Sequence, residues 1–189
     1  MNTFVSDIIA CITQLQSNGI ILYPTDTIWG IGCDATNETA IQKIFQLKKR
    51  SEKKSMIILV SDENMIRDYV LNPSEKMLDC ISSAIRPTTA IFKNAIHLPA
   101  NLINEDGSIA IRIAKDEFCQ QLIYQLTKPL VSTSANISGE KFPQNFLEVS
   151  EAVKNGVDYI VQHRRDDFSK SAPSSIIKLD KKNEIEFIR

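Results

Sequence analysis

The chain has 189 residues and 21.3 kDa, with 43% apolar and 24% charged residues, enough to bury the core of one compact domain. Twenty-two basic residues against 23 acidic ones leave a formal net charge of −1, which excludes a polycationic tail and a disordered acidic chain. Apolar runs such as Met56 to Val60 have strand length, far short of the about 20 residues a bilayer span needs, so no membrane partner is expected. Residues 1 to 42 contain no Lys or Arg, so a charged leader is missing and a cytoplasmic protein is expected. Cys11, Cys33, Cys80 and Cys119 lie far apart with only His97 and His163 to help. Reduced, mostly buried thiols are expected, without a metal centre.

In chain order, Phe4, Ile8, Ile12 and Leu15 recur at helical spacing and Gly19 follows, which predicts an amphipathic helix closed by a glycine. A strand at Ile20 to Tyr23 comes next. Thr36 or Asn37 can cap a helix carrying Ile41, Ile44 and Phe45 inward, and Met56 to Val60 reads as a buried strand. Helices around Met65 to Val70 and Met77 to Ile85 precede strands at Thr89 to Phe92 and Ile109 to Ile113. A helix near Phe118 to Leu126 leads to a strand at Pro129 to Ser132. The tail holds Tyr159 to Gln162, Ser175 to Leu179 and Ile185 to Ile188, the last two joined through Asp180 to Asn183 in a hairpin. Interleaved helices and strands predict one α/β domain over residues 1–189, with helices packed on a mixed sheet.

Three segments carry candidate chemistry. Tyr23-Pro24-Thr25-Asp26-Thr27-Ile28-Trp29-Gly30-Ile31-Gly32 leaves a strand end, where ligand sites form in open α/β sheets; an ordinary Pro and Gly turn is the alternative. Residues 43 to 54 hold six positive charges against one negative. That density suits phosphate, and also suits a solvated helix C-terminus. Ser132-Thr133-Ser134-Ala135-Asn136-Ile137-Ser138-Gly139 offers five hydrogen-bonding side chains after a strand. No nucleophile elbow surrounds its serines, so binding fits better than covalent catalysis. Arg112 ends an apolar strand and requires a carboxylate, structural or a ligand's, because an unpaired buried guanidinium is costly.

Taken in order, Pro24-Thr25-Asp26-Thr27, Gly30 and Gly32, Lys48-x-Arg50 with Lys54, Arg112, Ser134-Ala135-Asn136-x-Ser138-Gly139 and Ser174-Ser175 resemble the YrdC/Sua5 family over about residues 8 to 178. The resemblance implies a YrdC/RibB-like α/β fold, a twisted mixed parallel/antiparallel sheet with flanking helices and a positively charged concave surface. It implies L-threonylcarbamoyladenylate synthase activity, in which L-threonine, bicarbonate and ATP, with Mg²⁺, give threonylcarbamoyl-AMP and pyrophosphate. Thr25, Arg112, Ser134 and Ser174 would line the threonine pocket. Lys48 and Arg50 would hold the triphosphate, Asn136 would fix the nucleotide, and Trp29 and Ile31 would wall off water. tRNA or double-stranded RNA and the downstream tRNA threonylcarbamoyl transferase proteins are the implied partners. Departures stand at Lys54-Ser55, Trp29, Arg112-Ile113-Ala114 and Ser174-Ser175-Ile176, and Arg86-Pro87-Thr88-Thr89 matches a family motif only in part. They leave an alternative, a diverged YciO-like paralogue that binds RNA without activating threonine.

Overall fold

The computed structural model describes residues 4–51, 56–169 and 172–189. Helix α1 (Val5–Gln16) buries Ile8, Cys11 and Leu15, the stripe set by their spacing. Its exit differs from the expected glycine cap. Asn18 takes the left-handed conformation (φ 59°), while the Gly19 N–H donates to the Gln14 carbonyl at 2.8 Å. A Cβ on Gly19 would stand 2.7 Å from that oxygen, so the glycine serves close approach and Asn18 serves the turn.

Strands β1 (Ile21–Tyr23) and β2 (Gly30–Gly32) follow. Helix α2 (Glu38–Leu47) is capped by Asn37, whose side chain accepts from the Ala40 N–H. Then come β3 (Ile57–Val60), α3 (Glu63–Tyr69), α4 (Glu75–Ser83), β4 (Thr88–Phe92) and β5 (Ile109–Ile113). Helix α5 (Glu117–Leu126), β6 (Leu130–Ser134), one 3₁₀ turn (Phe146–Glu148), α6 (Glu151–Lys154), β7 (Tyr159–Ile160), β8 (Ser175–Leu179) and β9 (Ile185–Phe187) complete the chain. The predicted elements recur within a few residues. Three features differ: β2 lies in a segment read as a loop, β6 runs on to Ser134, and the 3₁₀ turn and α6 were not foreseen.

Among the described residues the strands form one nine-stranded sheet in the order β7-β1-β2-β6-β3-β5-β4-β8-β9. Pairs β1/β7, β3/β5 and β4/β8 are parallel and the other five are antiparallel, so the expected mixed sheet is present. Helices α1 and α5 pack together beside it, with Phe4 edge-on to Phe118 at 5.6 Å and His163 stacked on Phe118 at 5.8 Å. The imidazole of His163 is therefore a packing element. Cys11, Cys33 and Cys119 are buried and free. Among the described residues no helix is long and apolar enough to cross a membrane.

Register decides which side chains share a face. Gly30 pairs with Ser134, Ser132 with Ile57, Leu59 with Arg112, Arg112 with Thr89, and Thr89 with Ile176. Directly opposed residues point the same way and alternate residues repeat that direction. Positions far apart in sequence are thus carried onto one side of six adjoining strands.

Candidate active site

On that side lies a cavity of about 270 Å³, open to solvent, near the lower end of the about 300–1,000 Å³ usual for small-molecule sites. Its lining includes Thr25, Arg50, Arg112, Ser134 and Ser174, five of the seven residues proposed from sequence. Trp29 also lines it, backed by Phe146 at 4.9 Å. Ile31 lies in the core, fully buried, on the opposite side of β2 from the residues that alternate into the cavity.

The turn after β1 is built by its own hydroxyls. The Thr25 hydroxyl donates to the Ile28 carbonyl at 2.8 Å, accepts from the Thr27 N–H at 3.0 Å and lies 2.9 Å from the Thr27 hydroxyl. The Thr25 carbonyl in turn accepts from Arg164 Nη1 at 2.9 Å. Arg164 Nε donates to Asp167 Oδ2 at 2.9 Å, and the residues before it are tied to α1, where the buried Asp7 carboxylate accepts from the Tyr159 hydroxyl and the Gln162 and His163 N–H groups, at 2.6 to 2.9 Å.

Asp26 of the same turn reaches the end of β5. Its Oδ1 stands 2.9 Å from Arg112 Nη2, with side chains only 7% and 4% exposed. This is the carboxylate the buried guanidinium demanded. Losing either partner strands a charge, which costs about 3–5 kcal/mol. Burial raises the Asp26 carboxyl above its ordinary value, opposed by Arg112. The pair leaves capacity unused, because among the described residues Arg112 Nε has no hydrogen-bond partner and Asp26 Oδ1 is in contact without hydrogen-bond alignment. Beside it the Thr89 and Ser174 hydroxyls meet at 2.8 Å, both buried.

The cationic end of α2 meets the serine–asparagine turn. Lys49 takes the left-handed conformation (φ 49°), and its N–H and that of Arg50 return to Gln46 and Phe45 carbonyls at 3.0 and 2.9 Å. This Schellman-type exit reverses the chain, so Lys48 turns inward while Arg50 lines the cavity. Lys48 is 1% exposed. Its ammonium donates to the Ser134 and Asn136 carbonyls, at 2.5 and 2.6 Å, with Asn136 Oδ1 at 3.5 Å.

Lys48 and Asn136, assigned to the nucleotide from sequence, thus stand behind the cavity wall and bind each other. The reason is steric as well as polar: the helix exit aims residue 48 at the turn's carbonyls. Lys54 lies outside the described residues. Residues not foreseen include Arg189, which lines the cavity and donates to the Ser174 carbonyl at 3.1 Å, and Asp7, Arg164 and Thr89. None of these four was given a role at the site from sequence.

The Sua5/YciO/YrdC family, described as Telomere recombination, matches residues 13–189. A threonylcarbamoyl-AMP synthase of Pseudoalteromonas translucida is 31% identical over 82% of this chain and 85% of its own, and one of Idiomarina loihiensis is 33% identical over 76% and 78%. Among solved structures, P. abyssi Sua5 complexed with L-threonine superposes with a TM-score of 0.84 at 21% identity over 97% of this chain. The present chain spans 54% of that longer one. E. coli YciO superposes with a TM-score of 0.83 at 19% identity, covering 97% of this chain and 88% of that one. The fold, the cavity and these matches together place the chain in the Sua5/YciO/YrdC family.

Proposed function

We propose that the chain is a nucleotidyltransferase, an L-threonylcarbamoyladenylate synthase that converts L-threonine, bicarbonate and ATP into threonylcarbamoyl-AMP and pyrophosphate. One observation carries the reading: a buried guanidinium with an unpartnered donor, a cluster of hydroxyls and the Arg50 and Arg189 side chains meet in one cavity. The name carried by relatives at 31% and 33% identity supports the same activity.

Threonine's carboxylate docks on Arg112, which Asp26 holds in place, and Thr25, Ser134 and Ser174 supply hydroxyls around the amino acid. The threonine amine attacks the carbon of bicarbonate and water leaves, giving a carbamate. A carbamate oxygen then attacks the α-phosphorus of ATP, the bond to the β-phosphate oxygen breaks, and pyrophosphate departs with that electron pair. No protein nucleophile is required; position and positive charge carry the step. Arg50 and Arg189 face the phosphates, and Mg²⁺ arrives as part of the ATP substrate, neutralising its phosphate oxygens. Trp29, backed by Phe146, limits water that would return the carbamate to amine and bicarbonate. tRNA and the proteins that transfer the threonylcarbamoyl group to it lie downstream of this reading.

The test incubates the protein with ATP, Mg²⁺ and bicarbonate, with L-threonine, with serine, or with neither. Pyrophosphate release that depends on threonine is expected, falling about 100-fold or more in Arg50→Ala. Arg112→Lys raises the KM for threonine about tenfold or more with the KM for ATP unchanged, because an ammonium cannot replace the planar fork. Release indifferent to threonine would overturn the activity. Loss of ATP affinity in Arg112→Lys would mean the two halves of the site are exchanged.

A further inference from the structure

We infer that Lys48 and Asn136 are positioning residues, a buried polar strut that sets the Ser134–Gly139 turn. An ammonium has three N–H donors and no acceptor. At Lys48 all three have acceptors on the turn: the Ser134 carbonyl, the Asn136 carbonyl and Asn136 Oδ1. Asn136 is spent in the same way. Its Nδ2 donates to the Glu140 and Ile137 carbonyls at 2.7 and 3.1 Å, while its Oδ1 faces Lys48.

The backbone closes the unit, for the Ser138 N–H donates to the Lys48 carbonyl at 2.9 Å. Residue 48 therefore grips the turn at both its main chain and its side chain. The turn needs such a grip. Past Ala135, whose N–H donates to the Trp29 carbonyl, the bond from Ser138 to Lys48 is its long-range backbone tie among the described residues, the others being the local Asn136 N–H to Ser134 and Glu140 N–H to Ile137. The turn also contains Gly139 at φ 94° with open space around its Cβ position, a conformation most side chains avoid. What the strut secures is the placing of Ser134, which lines the cavity.

Only the consequence for catalysis rests on the proposed reaction. The strut belongs to the ligand-free protein and is tested there. Amide hydrogen exchange is followed in the ligand-free wild type, in Lys48→Met, in Asn136→Ala, and in Lys49→Met as an exposed charge control. Exchange at Asn136, Ser138 and Glu140 is expected to quicken about tenfold or more in the first two variants, with the β3 and β5 amides unchanged, and to stay at the wild-type rate in Lys49→Met.

Asn136→Ala, at a partly exposed site, carries the test should Lys48→Met fail to fold. Unchanged turn protection in the folded variants would overturn the strut and return Lys48 to the role of a direct ligand. Quickening spread evenly over the sheet would overturn it too, as a mark of general destabilisation. Absence of threonine-dependent pyrophosphate release from the wild type would sink the proposed reaction and leave the exchange result standing.

Discussion

Burial, helped by the neighbouring Arg50 and opposed by Glu140, pulls the Lys48 amine from 10.5 down to about 7. Its charged form is therefore the disfavoured one in the fold. Below about 7 the whole penalty is present. Between there and 10.5 the unfolded chain binds more protons at this site than the folded one, so stability rises with pH by up to about 1.4 kcal/mol per unit. Urea unfolding of the wild type and Lys48→Met at pH about 6.5, 8 and 9.5 should show the wild type gaining on the variant as pH rises. A constant difference would mean that Lys48 titrates like an exposed lysine. The neutral amine keeps two donors for the two carbonyls and gives up the 3.5 Å contact to Asn136 Oδ1, so the strut outlasts the proton. At this scale the sequence was partly legible. Arg112 announced its need for a carboxylate through the cost of burying a lone guanidinium. That Asp26 meets the need, and that Lys48 faces carbonyls, depended on directions that residue type does not encode.

Strands β2 and β6 show why some elements escape a reading of local pattern. Gly30-Ile31-Gly32 has two residues that weaken strands, and Ser132-Thr133-Ser134 looks like a loop; both are strands because neighbours pair them. Gly32 is tightly enclosed: a Cβ there would lie 2.5 Å from the Val131 carbonyl oxygen and 2.7 Å from the Tyr23 ring. Gly32→Ala should therefore cost about 1–3 kcal/mol, as overpacking does, read as a lower urea midpoint with the m-value unchanged. Full stability in that variant would mean β1, β2 and β6 can separate freely. The four-residue α6 and the single 3₁₀ turn are too short to show a period. Long amphipathic helices and apolar strands such as β5 were legible because burial repeats along them at a fixed spacing.

For the whole molecule, the proposed site predicts that ligands binding only the folded state raise its melting temperature. At about 100 times its Kd a ligand adds about 2.7 kcal/mol, which for a chain of this size is a rise of about 5–10 °C. MgATP should produce it, and Arg50→Ala should abolish it; an unmoved melting temperature with MgATP would remove the nucleotide from this cavity. Such linkage exists because residues 25, 50, 112, 134 and 174 line one space. The amino-acid sequence alone determined the kinds and order of most elements and the chemical types available for binding, since apolar period and turn chemistry are local properties. The tertiary structure decided which of those groups face the ligand. Pairing register across six strands gathers the lining, and Lys48 meets acceptors 86 and 88 residues away. A cation's direction is settled by competition between water and distant carbonyls, and that competition is absent from any local stretch of chain.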